Sequence, residues 1–130
     1  MSHSPRFVAL VDRARADVTE TSIAAVRERV ERGGDVVLVD VREADEWTGG
    51  HLPGARHVSR GVLERDIEET FPDLDAPLVL YCGGGYRSAL AARSLGEMGY
   101  TNVQSMTGGW RAWTEAGYPT EGGPTETHTP

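Results

Sequence analysis

The chain contains one cysteine, Cys82, followed at once by Gly83-Gly84-Gly85-Tyr86-Arg87-Ser88. A cysteine does nucleophilic chemistry as its thiolate, so what matters is whether its surroundings favour negative charge. Three consecutive glycines let the backbone curl tightly and turn its amide N–H groups inward. Arg87 adds a full positive charge at the rim. The segment follows the apolar run Pro77-Leu78-Val79-Leu80-Tyr81 and precedes a helical pattern from Ser88 to Met98. Cys82 therefore falls at the carboxyl end of a buried strand, the edge where parallel α/β sheets bind ligands. The start of the next helix contributes a partial positive potential there. This setting favours a thiolate over a thiol, and equally an anionic persulfide or the charge that develops during attack. The glycines leave an open floor beside the sulfur for a small anion. Taken singly, a strand-end cysteine reads as a small buried hydrophobe. Cysteine, three glycines and arginine together at a strand–helix junction point to chemistry.

Other side chains carry weaker signals. Asp40 and Arg42 follow a second buried strand and belong to the same sheet edge as Cys82. Their expected role is a structural ion pair that holds neighbouring loops, since such networks often mimic functional ones. His51 lies in the turn Gly50-His51-Leu52-Pro53-Gly54. A Cys–His catalytic pair would require it beside Cys82; fixing the loop is the simpler role. The four histidines, His3, His51, His57 and His128, lack metal-ligand spacing, and no second cysteine supports a zinc site. Trp47, Trp110 and Trp113 read as packing residues. The acidic stretch from Glu64 to Asp75 reads as a solvated face.

The elements that must position Cys82 follow from periodicity. Ser4-Pro5 begins a helix carrying Phe7, Leu10, Val11 and Ala14. Ser22 caps a second helix with Ile23, Val26 and Val30 on one face, stopped by Gly33-Gly34. Val36 to Val39, Pro77 to Tyr81 and Val103 to Met106 read as strands, with a short strand near Arg56 to Val58. Between the first two strands lie a helical turn from Glu43 to Thr48 and a short helix from Gly61 to Glu69. Gly108-Gly109 opens a last short helix. Alternating strands and helices imply an α/β fold, a parallel sheet with helices on both faces.

The 130 residues suit one domain. Its expected divisions are an N-terminal helical extension over 1–17, the α/β domain over 18–118 and a disordered tail over 119–130, rich in Pro, Gly and Thr. A net charge of −7 makes nucleic acid a poor partner. No stretch approaches the ~18 apolar residues of a membrane span, and no signal-peptide pattern opens the chain. A lone free thiol fits a reducing, cytoplasmic setting. All 13 basic residues are arginines, which excludes Schiff-base and P-loop lysines.

Three segments together resemble the rhodanese family of single-domain sulfurtransferases. They are Val37 to Glu43 with Glu46, then Gly50 to Ala55, then Tyr81 to Ser88 continuing through Met98-Gly99-Tyr100 to Gly108-Gly109-Trp110, within about residues 18 to 117. The resemblance implies five parallel strands flanked by helices on both faces. It implies that Cys82 takes a sulfane sulfur from a donor such as thiosulfate and passes it, as a persulfide, to cyanide, a thiol or a protein sulfur acceptor. It implies no metal or organic cofactor. Gly83, Gly84, Gly85, Tyr86 and Arg87 match the family's substrate-binding loop, with Ser88, Asp40, Arg42 and His51 in support. Some thiosulfate-using relatives carry a further basic residue inside this loop, where this chain has Gly83 to Tyr86. Two other functions compete. A cysteine phosphatase or arsenate reductase usually has five residues between Cys and Arg, against four here. A docking, sensing or sulfur-relay module would use the same fold, and the intact Cys82 and Arg87 argue against a degenerate site.

Overall fold

The computed structural model describes residues 3–123. Five strands, β1 (Thr19–Thr21), β2 (Val37–Asp40), β3 (Arg56–His57), β4 (Leu78–Tyr81) and β5 (Val103–Met106), form one parallel sheet in the order β1-β5-β4-β2-β3. Successive side chains of a strand face opposite sides. In β2 and β4 both sides are apolar, so both must be covered. Helix α1 (Pro5–Arg15) precedes the sheet, α2 (Ile23–Glu31), α3 (Ala44–Thr48), α4 (Leu63–Thr70) and α5 (Tyr86–Glu97) connect the strands, and α6 (Gly109–Glu115) follows β5. Val39, Leu78, Leu80 and Cys82 pack on one side against Leu63 and Ile67 of α4 and Ala91 and Leu95 of α5. Leu38, Val79, Tyr81 and Met106 pack on the other against Val26 of α2 and Trp113 of α6. The α/β architecture and the five parallel strands are therefore as expected.

Several local expectations shift. β1 was not foreseen, because Thr-Glu-Thr has no apolar residue; it is an edge strand registered on β5, with Thr21 opposite Met106. The Cys82 loop closes sooner than the pattern suggested, since α5 begins at Tyr86 rather than Ser88. In α1, Val11 and Ala14 are buried, and the helix packs against α5. Leu10, grouped with them by spacing, is instead exposed. Ser22 caps α2 as expected, accepting the Ala25 amide at 3.0 Å. No helix among the described residues is long and apolar enough to cross a membrane.

The tail corrects the expectation of disorder from Pro119. Trp113 Nε1 donates to Pro119 O at 2.7 Å. His51 and Glu121 exchange both backbone hydrogen bonds at 2.9 Å, and Gly54 N donates to Glu121 Oε1 at 2.8 Å. Residues 119–123 thus strap the loop from Gly49 to Gly54; residues 124–130 lie outside the described part. Taking about 0.5 kcal/mol, the low end for a net hydrogen bond, for each of these four partly exposed bonds, ending the chain after Tyr118 is expected to cost about 2 kcal/mol and to lower Tm by roughly 7 °C. A circular-dichroism melt unchanged by that truncation would contradict this docking.

Candidate functional site

The loop between β4 and α5 is built by directing its peptide groups two ways. The carbonyls of Cys82 and Gly83 accept hydrogen bonds from Trp110 N and Arg111 N, the first turn of α6, at 2.8 and 2.9 Å. That approach requires Gly109: with φ +56, a Cβ there would strike the Cys82 carbonyl oxygen. On the inner side, Gly85 N donates to Cys82 Sγ at 3.1 Å and Ser88 N lies 3.4 Å from it. Gly85, at φ +93, makes the turn into α5, and a Cβ on it would crowd Gly108 N at 3.1 Å. The glycine-rich run is thus a sulfur cradle.

Cys82 itself is 1% exposed and sits at the end of the core cluster shared by α4 and α5. Its Sγ lies 3.6 Å from Ser88 Oγ, which in turn is 2.8 Å from Ser105 Oγ. Both serines are fully buried. Two amides therefore donate toward a single sulfur, an arrangement suited to negative charge there, and the thiol itself donates to Ser88 Oγ.

Above the sulfur opens a cleft of about 350 Å³. Its floor is Cys82, Gly83 and Gly84; Tyr86 and Arg87 follow from α5, Glu46 comes from α3 and Arg111 from α6. His3 and Phe7, from the N-terminal extension, complete the wall. The charge of Arg87 is not free. Its Nη1 and Nη2 donate to Glu46 Oε1 and Oε2 at 2.8 and 3.1 Å. The Glu46 carboxylate holds Arg87 above its ordinary value, and Arg87 holds Glu46 below its own. Glu46 also closes a capping box with Glu43 at the start of α3.

Asp40, Arg42 and His51 do not line the cleft. Asp40 and Arg42 form a buried ion pair, with Arg42 Nη2 2.8 Å from Asp40 Oδ2. The same Nη2 donates to Gly50 O at 2.6 Å, and the guanidinium lies over the Trp110 ring at 4.6 Å. Burial opposes the Arg42 charge, and the hydrogen bonds to Asp40 more than offset it, so its pKa lies above the ordinary value. The His51 ring stacks on Trp47 at 3.6 Å. His57 Nε2 lies 2.8 Å from Arg42 O. Among the described residues, no group of three or more His, Cys, Asp or Glu side chains is placed to hold a metal ion.

Sequence reasoning missed Glu46 as the partner of Arg87, although its place as third residue of a capping box was readable. It missed Ser105, a lone hydroxyl in a β5 position facing the core. It missed His3 and Phe7 entirely, since no spacing rule connects an N-terminal helix to a loop about 80 residues later.

The Glu46–Arg87 pair carries a pH signature. The folded-state pKa of Glu46 is lowered, so the pair's stabilisation is present above the ordinary value of 4.5 and is lost as pH falls through the folded value. The pair is about one-third exposed, so Glu46→Gln is expected to cost about 1 kcal/mol at pH 7. The difference between the urea melts of the two proteins should shrink as pH falls from 4.5 through the lowered folded value of Glu46; a constant difference from pH 7 to pH 3 would contradict the ion pair.

The profile of the family described as Rhodanese-like domain matches residues 22–116. The chain is 38% identical over 90 residues to the thiosulfate sulfurtransferase GlpE of Ectopseudomonas mendocina, covering 69% of this chain and 80% of that one. Among solved structures, it is similar to the Rhodopseudomonas palustris protein RPA3614, described as of unknown function and a possible tyrosine phosphatase. That match has a TM-score of 0.83 and 34% identity, over 93% of this chain and 98% of that one. It is also similar to the polysulfide-sulfur transferase homodimer of Wolinella succinogenes, with a TM-score of 0.78 and 31% identity over 95% of this chain and 92% of that one. Through the family profile over residues 22–116, and through a cysteine loop lodged between β4 and α5, this chain belongs to the rhodanese-like domain family.

Proposed function

We propose that the protein is a sulfurtransferase in which Cys82 carries a sulfane sulfur as a persulfide. The observation that carries this reading is the convergence of Gly85 N and Ser88 N on Cys82 Sγ at the base of an open cleft. With thiosulfate as donor, the Cys82 thiolate attacks the sulfane sulfur. The S–S bond of thiosulfate breaks, its electron pair leaves with sulfite, and Cys82–S–S⁻ forms. An acceptor, cyanide or the thiolate of a small molecule or protein, then attacks the outer sulfur. The new S–S bond breaks and its pair returns to Sγ. This two-step cycle is ping-pong. It draws on no metal or organic group, and a free thiol of this kind suits the reducing cytoplasm.

Each residue has a task in this cycle. The two amides hold charge on the sulfur; the Ser88 hydroxyl, which accepts from the thiol and lies beside Ser105, turns to donate once Cys82 loses its proton. Gly83 and Gly84 keep the floor open. Arg87 neutralises Glu46, whose carboxylate would otherwise repel an anionic donor. Asp40 and Arg42 hold the loop at Gly50 and the indole of Trp110, and His51 holds Trp47, so they act on the site through its frame.

A phosphate-ester reading, prompted by the description of RPA3614, fits less well. Four residues separate Cys82 from Arg87 where the usual phosphate loop has five, which leaves fewer amides in the ring. Both terminal nitrogens of Arg87 are already engaged by Glu46.

Cys82→Ser is expected to abolish thiocyanate formation from thiosulfate and cyanide, a loss of roughly 10³-fold or more, with an unchanged melting curve. Arg87→Ala is expected to raise KM for thiosulfate several-fold by exposing Glu46. Near-native turnover in folded Cys82→Ser would remove the nucleophile assignment, and an unchanged saturation curve for Arg87→Ala would remove the charge-neutralising role.

A further inference from the structure

The N-terminal extension, which lies outside the stretch matched by the family profile, builds one wall of the cleft over Cys82. The His3 and Phe7 rings meet the Tyr86 ring at 4.3 and 5.8 Å, and Phe7 lies nearly parallel to it. From the far end of α1, Arg15 places its guanidinium 4.9 Å from the Tyr86 ring centre. Tyr86 is thereby clamped as a rigid aromatic side to the cleft.

The charges on the opposite side are few. Glu46 cancels Arg87. Arg111 lines the cleft and, among the described residues, has no carboxylate within ion-pair distance. With Cys82 as the thiolate this reading requires, the charges of the described lining cancel, Arg87 and Arg111 against Glu46 and the sulfur, beside an aromatic wall in a chain of net charge −7. Thiosulfate brings two negative charges and no carbon. A lining without net positive charge opposes a dianion more than a monoanion, and thiosulfate gains nothing from the rings. A cleft of about 350 Å³ also far exceeds what so small an anion fills.

We infer that the cleft selects monoanionic organic sulfane-sulfur donors, R–S–S⁻ or R–SO₂–S⁻ with an aromatic or bulky apolar R group, and that Phe7 and Tyr86 set this preference. The inference rests on the Cys82 persulfide reading and names its donor class. For a persulfide, the Cys82 thiolate attacks the outer sulfur of R–S–S⁻. The donor's S–S bond breaks, its electron pair leaves as R–S⁻, and Cys82–S–S⁻ forms. For a thiosulfonate the leaving group is the sulfinate R–SO₂⁻. R packs on Phe7 and Tyr86, and Arg111 faces the single negative charge.

The test uses three stable donors with cyanide as acceptor: benzenethiosulfonate, methanethiosulfonate and thiosulfate. For the wild type, kcat/KM is expected to be at least tenfold higher for the benzene compound than for the methane compound, and lowest for thiosulfate. Phe7→Ala is expected to bring the benzene-to-methane ratio below about threefold, with Phe7→Leu intermediate; the ratio is read only for variants with native melting curves. Glu46→Gln, which frees Arg87, is expected to raise thiosulfate use relative to methanethiosulfonate. Thiosulfate as the best donor, or a ratio indifferent to both Phe7 substitutions, would overturn the inference and leave Cys82 chemistry standing. Failure of all three donors to give thiocyanate would overturn the persulfide reading itself, and this inference with it.

Discussion

The peptide groups between Cys82 and Ser88 must point two ways at once, and most of the structure serves that requirement. Amides turned toward the sulfur leave carbonyls turned away, and a buried carbonyl without a partner costs about as much as a lost hydrogen bond. Here the first turn of α6 supplies the partners, with Trp110 N and Arg111 N on the carbonyls of Cys82 and Gly83. Gly109 permits that approach and Gly85 permits the turn into α5. The cradle thus depends on two neighbouring connections, β4 to α5 and β5 to α6, being held side by side. The β4–β5 pairing, with Leu80 opposite Ser105, does this and delivers Ser105 to Ser88.

A second chain of contacts sets the charge above the sulfur. The buried Asp40–Arg42 pair grips the Gly50 carbonyl and lies against Trp110. Removing one member of such a pair strands the other charge, at a cost of about 3–5 kcal/mol. The strap at Glu121 holds the same loop from outside, and His51 stacks on Trp47 in α3. One position before Trp47, Glu46 reaches Arg87. Frame residues therefore determine where the cleft's charges stand, although none of Asp40, Arg42 and His51 lines it.

Much of this was legible in the residues. The apolar runs of β2, β4 and β5 and the glycines after Cys82 are local signals with local causes, and they located the sheet and the sulfur. Asp40 and Arg42 were read as a loop-holding pair, and the geometry has that form. The unreadable parts are those decided by partners distant in sequence. β1 is polar and exists because β5 offers it an edge. Arg87 looked like a free cation because only the fold brings Glu46, 41 positions away, within reach. Phe7 looked like an ordinary helix residue because its contact with Tyr86 is tertiary. Residues 119–123 looked like a polar tail because their anchors are mostly backbone groups, which composition does not reveal.

The central claim is that Cys82 is where sulfur is held between donor and acceptor. Intact-protein mass spectrometry of the reduced chain, before and after incubation with benzenethiosulfonate or thiosulfate, tests it most directly. The account predicts a gain of one sulfur atom on the wild type, none on Cys82→Ser, and loss of that atom on adding cyanide. A folded wild type that gains no sulfur from either donor, or a Cys82→Ser protein that gains as much as the wild type, would contradict it.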